Sequence, residues 1–280
     1  YEISLGLVGS EMCIRDSNTI FCGRALLAQQ DCRRQKLLLR EVLIMICIIG
    51  AMDVEINSVK SKIENSVCTK IAGIDFVCGE INGSTVCAAQ CGPGKINAAL
   101  CAQIMADRFD ADEIINIGVG CSLSPDVAIK NIVVASDVCQ YDIDITALGE
   151  PKGYINGLNT IKIKTDAAVS ESLARIAINS GEKIHRGTVA SGDTFIASAK
   201  LKSEIAAEFG AICGEMEGGA IGQVAAANKI PFAVLRSVSD GGDASAAMDY
   251  PTFKQLAAEK STAIILKYLK SKKMQIEMEY

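Results

Sequence analysis

Two glutamates one residue apart, Glu215 and Glu217, stand where the apolar stretch FGAIC gives way to paired glycines in CGEMEGGAIG. Two further carboxylates sit at similar junctions: Glu55, three residues beyond Met52, and Asp240, directly after PFAVLRSVS. Ionised carboxylates accept hydrogen bonds from sugar hydroxyls, and burial lets a carboxyl keep its proton near neutral pH. A group of them can therefore hold a neutral ligand and do acid–base work on it. Comparable junctions carry Gly92, Pro93 and Gly94, then Gly118 to Ser122, Ser191 to Ile196, and Ser239. Arg236 is the only arginine in these segments. That is too acidic for a nucleotide phosphate site. GVGC opens no helix and lacks a third glycine, and no G-x-x-x-x-G-K-[ST] follows a strand, so the dinucleotide and P-loop readings both fail. CGPGK is either a tight turn feeding the Lys95 helix or an anion cradle at that helix's N-terminus.

Short β-branched runs alternate with longer helical periods from Met45 onward, the pattern of an α/β domain. Strands are expected at MICIIG, DFVCGEI, STVCAAQ, EIINIG, NIVVASDVC, IHRGTVASG, AICGEM and PFAVLRSVS. Helices are expected at DVEINSVKSKIEN, KINAALCAQIMADRF, TDAAVSESLARIAINS, ASAKLKSEIAAEF, EGGAIGQVAAANK and PTFKQLAAEKSTAIILKYLKSKK. Such elements predict a three-layer α/β/α sandwich around a mixed, mostly parallel sheet. Ligands of parallel sheets bind outside the carboxyl ends of the strands, which is where the carboxylates fall.

Composition excludes other classes. A 280-residue chain that is 49% hydrophobic and 22% charged buries a sizeable core. Its net charge of -5, with no basic run beyond CRRQK, gives no footprint for nucleic acid. The 12 cysteines include no C-x-x-C, and the single histidine, His185, has no cysteine nearby, so zinc and redox motifs are absent and no metal is expected. Several cysteines lie inside apolar runs and read as reduced, buried residues of a cytoplasmic protein. The basic cluster before MICIIG invites a signal-peptide reading. Arg40 and Glu41 interrupt the apolar run that follows, no A-x-A comes after it, and the uninterrupted part is short of the ~20 residues that span a bilayer. It reads as a buried strand, and no membrane partner is expected.

Residues 1–44 read differently from the rest. YEISLGLVGSEMCIRDS resembles adapter sequence translated at the ends of metagenomic assemblies, and REV before LIM is compatible with a ribosome-binding sequence ahead of an ATG. The expectation is a non-native extension over 1–44 with Met45 as the start, an α/β domain over 45–270, and a C-terminal tail over 271–280.

Six stretches in order, CIIGAMDVEI, GPGKINAAL, IINIGVG, ASGDTFI, GEMEGGAIG and LRSVSD, resemble the methylthioadenosine/S-adenosylhomocysteine nucleosidases of the purine nucleoside phosphorylase superfamily. The resemblance runs from about Met45 to Lys270. It implies cleavage of the N9–C1′ bond of an adenine thionucleoside, through an oxocarbenium-like sugar, by a homodimer without organic cofactor. It further implies that Glu55 activates water, that Asp240 protonates purine N7 with Ser239 beside it, and that Glu217 takes the ribose hydroxyls with Met216 against the sugar. Arg236 would pair with an acidic neighbour or help position water. Phe195 would stack on adenine, the Ile196 backbone would read its edge, and Met52, Pro93 and Tyr250 would surround the 5′-alkylthio group. Taken alone, the acidic pair of CGEMEGG is equally a helix N-terminus, Glu55 a solvated first-turn acid and Asp240 a cap. Glu215, on the opposite side of an extended chain, is structural or reaches the ribose indirectly.

Two stretches depart from the family. Val119 stands where a serine is usual, removing a hydroxyl that helps hold the water, and Asp144 to Asn159 forms an extended loop. Tyr250 replaces a usual phenylalanine. Alternatives that remain are an aminodeoxyfutalosine hydrolase, a purine nucleoside phosphorylase and a non-catalytic nucleoside-binding protein.

Overall fold

The structure, a computed structural model, describes residues 44–279, with side chains through residue 273. Positions 1–43, most of the N-terminal segment that reads as non-native, lie outside the described residues. The described chain forms ten strands and six helices: β1 (Ile46–Gly50), α1 (Asp53–Lys60), β2 (Glu64–Ile71), β3 (Ile74–Ile81), β4 (Ser84–Gln90), α2 (Lys95–Arg108), β5 (Glu113–Ser122), β6 (Ile132–Gln140), β7 (Ile163–Lys164), α3 (Ala167–Asn179), β8 (Ile184–Ser191), α4 (Ala199–Phe209), β9 (Ala211–Glu215), α5 (Gly218–Asn228), β10 (Phe232–Asp240) and α6 (Ala246–Glu279).

The strands form one mixed sheet. From the exposed edge, β2, β3 and β4 run antiparallel, β4 pairs β1 in parallel, and β1 pairs β5 in parallel. Beyond β5 the sheet closes on itself: β5 pairs β10, β10 pairs β6, β6 pairs β8, β8 pairs β9, and the end of β9 returns to the end of β5. Among the described residues five pairings are parallel and five antiparallel, with the parallel ones joining more residues, so the sheet is mixed as expected. Two hairpins supply much of the antiparallel character. Asn82 and Gly83, both at positive φ, make the tight turn from β3 to β4 that a type I′ hairpin requires.

Strand alternation sorts the core into two faces. Ile46 and Ile48 pack with Ile56 and Val59 of α1, Leu173 and Ala177 of α3, and Ile264, Ile265, Tyr268 and Leu269 of α6. Cys47 and Ile49 pack with Cys101 and Met105 of α2 and with Ala220 and Ile221 of α5. All five residues of β1 are buried, and each buried isoleucine is worth roughly 1.5–3 kcal/mol, which makes the run the buried strand the sequence suggested. A smaller cluster joins Ile205 and Phe209 of α4 to Tyr141, Ala190 and Ile196.

Some elements differ from the sequence reading. The helix starting at Asp53 ends at Lys60, and its expected last turn belongs in part to β2, a strand with no buried residue. Without an apolar face, ENSVCTKI carries no period-2 signal, and pairing with β3 alone makes it a strand. The short β7 was likewise unforeseen. The last helix starts at Ala246, ahead of the expected start at Pro251, and carries that proline as its sixth residue, where the missing N–H forgoes the bond to the Ala247 carbonyl. The nine described cysteines are free thiols, and seven are buried. Cys68 is exposed, contrary to expectation, because it lies on β2.

Candidate active site

The strand-end residues converge on one cavity. Its lining includes Met52, Glu55, Pro93, Phe195, Ile196, Met216, Glu217, Ser239, Asp240 and Tyr250, which are all the expected site residues except Arg236. Ala51, Val119, Cys121 and Thr194 complete parts of the wall. Asp53, at the same junction as Glu55, is exposed and lies outside the lining.

Glu55 is fixed by backbone. Its Oε2 accepts from the N–H groups of Ala51 (2.8 Å) and Met52 (2.9 Å), and its Oε1 from Val119 (3.0 Å). The first two donors are the loose N–H groups at the start of α1, and the third comes from β5. Gly118 makes this possible, since a Cβ there would come within 2.6 Å of Glu55 Oε1. Burial raises the Glu55 pKa above the ordinary carboxylate value, against the opposing pull of the Arg236 charge and the three N–H donors.

Asp240 ends β10, next to a register shift that separates Val238 from Asp240 in its pairing with β5. Ser239 Oγ donates to Asp240 Oδ2 (2.9 Å) and the Gly242 N–H to Oδ1 (3.0 Å). Burial raises its pKa, the two donors lower it in part, and the charges of Asp249 and Asp243 add to the rise. The result is a carboxyl that favours its protonated form more than a free aspartate does.

Glu215 and Glu217 have separate roles in the architecture. Glu215 Oε2 accepts from the N–H groups of Glu217 (3.0 Å) and Gly218 (2.7 Å), closing the N-terminus of α5, and also receives Arg236 Nη2. Its Oε1 receives the Ser191 hydroxyl. These donors engage both oxygens of Glu215, the structural alternative of the two left open by its sequence. Glu217 Oε1 accepts one N–H, from Gly94 at 3.0 Å. Burial and the neighbouring Glu215 charge push the Glu217 pKa up to about 8, with Arg236 acting in the opposite direction.

Arg236 is buried beneath these carboxylates rather than exposed to the cavity. Its Nη2 contacts Glu215 Oε2 and Asn116 Oδ1, and lies 3.7 Å from Glu217 Oε2. Burial alone would lower its pKa, but Glu215, Glu217 and Glu55 together carry it above the ordinary arginine value. Of the roles expected for Arg236, this geometry provides the ionic pairing; contact with the cavity is not made. Asn116 was missed by the sequence reading, although an asparagine inside the apolar run EIINIG is a signal that a buried polar partner is needed.

The remaining wall is apolar. Phe195, 45% exposed, meets Tyr250 edge to face with ring centroids 5.5 Å apart, and the Tyr250 hydroxyl lies 2.8 Å from Met52 Sδ. Among the described residues no group of three or more His, Cys, Asp or Glu is placed to hold a metal ion, and no helix is long and apolar enough to cross a membrane.

Comparison with known proteins is consistent with this geometry. Residues 45–270 match the Phosphorylase superfamily. The chain belongs to that superfamily. Within the superfamily it is similar to the 5′-methylthioadenosine/S-adenosylhomocysteine nucleosidase of Bacillus subtilis, with 31% identity over 80% of this chain and 98% of the relative. Among solved superfamily structures it resembles that of the same nucleosidase from Neisseria meningitidis in complex with methylthio-immucillin-A, with TM-score 0.79 and 29% identity over 82% of this chain and 100% of the other. The futalosine hydrolase of Helicobacter pylori is similar to the same degree in fold, with TM-score 0.79 and 28% identity over 83% and 100% of the two chains.

Proposed function

We propose that the chain hydrolyses the N-glycosidic bond of 5′-methylthioadenosine and S-adenosylhomocysteine, releasing adenine and the thioribose. One observation carries this reading: Glu55, Glu217 and Asp240, all buried, line a single cavity whose other wall is aromatic and apolar.

The chemistry follows from what each oxygen has left to offer. A carboxylate has about four lone-pair sites. Three on Glu55 are taken by N–H donors, so the remaining one accepts a proton from a single water and sets its direction. As the water oxygen bonds to C1′, the C1′–N9 pair withdraws into the purine, and the proton of Asp240 passes to N7 so that adenine leaves neutral. Glu217 receives the ribose hydroxyls; the Arg236 charge, 3.7 Å from its Oε2, opposes the rise in its pKa and favours the ionised form, whose negative charge counts most when the sugar becomes cationic in a site closed to water. Phe195 offers a ring face to the purine, the Ile196 backbone its polar edge, and Met216 a surface to the ribose. Met52, Pro93 and Tyr250 surround the alkylthio group. Arg236 acts through Glu215 and Glu217 as a positioning residue. The two-sided helix packing supports a three-layer α/β/α sandwich for the catalytic domain over 45–270; against a separate tail over 271–280, the last helix continues past residue 270 and Lys272 pairs with Glu113 of β5.

Water is favoured over phosphate because the obvious anion donors are already engaged. The Gly94 N–H is on Glu217, the Lys95 N–H on Asp193, and the Lys95 ammonium on Asp142. Protein started at Met45, incubated with methylthioadenosine with and without phosphate, is expected to give adenine and free methylthioribose in both, read by mass. Sugar 1-phosphate formed only with phosphate would establish a phosphorylase instead. The similarity to a futalosine hydrolase supports a second reading, in which a larger 5′ substituent is preferred. Direct competition between aminodeoxyfutalosine and methylthioadenosine decides it by the ratio of kcat/KM. The same reading takes the chain as a cytoplasmic homodimer, supported by its free thiols and by the exposed Ile96 and Leu148. Light scattering at the mass of one chain would refute the dimer, and activity absent from a cytosolic fraction would refute the location.

Val119 bears on the rate. Its N–H holds Glu55, but its side chain adds no partner for the water. Val119→Ser is expected to raise kcat by about 2- to 10-fold, the worth of one hydrogen bond, with KM unchanged. A variant no faster than wild type would show that the water is already fully held.

A further inference from the structure

Three loops meet beside the cavity through charges that the reaction does not use. The Lys95 N–H, at the start of α2, donates to Asp193 Oδ1 at 2.7 Å. The Lys95 ammonium reaches Asp142 Oδ1 at 2.5 Å, and the Asp193 N–H donates to Asp142 Oδ2 at 3.0 Å. Lys95, Asp142 and Asp193 thus form a closed cycle of contacts joining the turn after β4, the chain after β6 and the chain after β8.

What this cycle holds is specific. Directly before Lys95 are Pro93, which lines the cavity, and Gly94, whose N–H is the donor on Glu217. Directly after Asp193 are Thr194, Phe195 and Ile196, which also line the cavity. Gly94 sits at φ +99°, and a Cβ there would come within 3.1 Å of Asp193 Oδ1, so the turn is fitted to its partner. Both aspartates are exposed, which makes the cycle weak as a source of stability. Its geometry matters more than its energy.

We propose that Asp142 and Asp193 are positioning residues: acting through Lys95, they fix the separation between the wall that meets the ribose and the wall that meets the purine. This rests on the nucleosidase reading, which assigns those two walls. A ligand that spans both walls gains from their being held in register, whereas free adenine touches only one. Misplacement by about 1 Å is enough to cost a reaction up to about 10²-fold.

The test separates the two ligands. For Asp193→Ala, the KM for methylthioadenosine and the Kd for methylthio-immucillin-A by calorimetry are expected to rise about tenfold, while the Kd for adenine stays within about twofold. Asp193→Asn keeps an oxygen acceptor for the Lys95 N–H and is expected to restore most of the loss. Lys95→Gln, which removes the ammonium from the other side of the cycle, should reproduce the same split if Asp193→Ala fails to fold. Equal weakening of adenine and nucleoside, or no weakening of either in a folded variant, would overturn the proposal. Wild-type protein that bound both ligands without turnover would overturn the hydrolase reading alone, because the binding measurements still report on the cycle.

Discussion

Asp240→Asn is expected to lower kcat for methylthioadenosine by about 10²–10⁴-fold, the usual worth of a general acid, and to leave KM within about threefold. The amide keeps the size of the side chain and retains an oxygen for the Gly242 N–H, so the cavity persists while the proton for N7 is lost. Sign decides the companion effects. Asp240 must be protonated and its folded pKa is raised, so wild-type activity falls as pH climbs through that raised value. Glu55 must be ionised and its folded pKa is also raised, so activity falls as pH drops through it. Stability moves oppositely to activity in the variant. Below the unfolded carboxylate value Asp240 is protonated in both states and contributes nothing. Above it the unfolded chain ionises first, and the wild-type fold loses stability relative to the amide variant. Asp240→Asn should therefore melt higher than wild type at about pH 8, by about 2–4 °C per kcal/mol, and level with it at about pH 3. Near wild-type turnover in this variant would remove Asp240 from the acid role.

Arg236→Met is expected to cost about 3–5 kcal/mol, roughly 10 °C or more in Tm, with activity lost in the protein that remains folded. The cost is not the value of the ion pair itself. It comes from leaving Glu215, Glu217 and Glu55 together in a buried space without their shared cation. The carboxylates can escape by taking up protons, so the deficit should shrink as pH falls from about 8 toward the unfolded glutamate value near 4.5. Differential scanning calorimetry across that range reads both the size and the slope. A variant melting within about 2 °C of wild type at neutral pH would mean that the carboxylates do not depend on Arg236.

The sequence made the strand ends legible because β-branched runs mark buried strands, and parallel strands deliver the residues after them to one rim. Glu55, Glu217 and Asp240 could be found that way without knowing how far apart the strands lie. The division of labour between Glu215 and Glu217 could not. It depends on Ser191 and Arg236, 24 and 21 residues from Glu215 in sequence, reaching it across the fold. The same limit hid the Lys95 contacts, where Asp193 is 98 residues away and no local pattern connects the two. β2 was invisible for a different reason: a strand with no buried face leaves no apolar period to read.

The closed run of strands from β5 through β10, β6, β8 and β9 also determines when the protein becomes an enzyme during its synthesis. β5 is complete by Ser122, yet its neighbour β10 begins only at Phe232, so one flank of β5 waits for more than a third of the chain to be made. Contacts so distant in sequence are slow to form. Until they do, the nascent chain exposes an unpaired strand edge at the place where Glu55 will be anchored, and it contains no Asp240. The ring thus makes activity a late property, and any truncation before Phe232 loses the acid and the closing strand together.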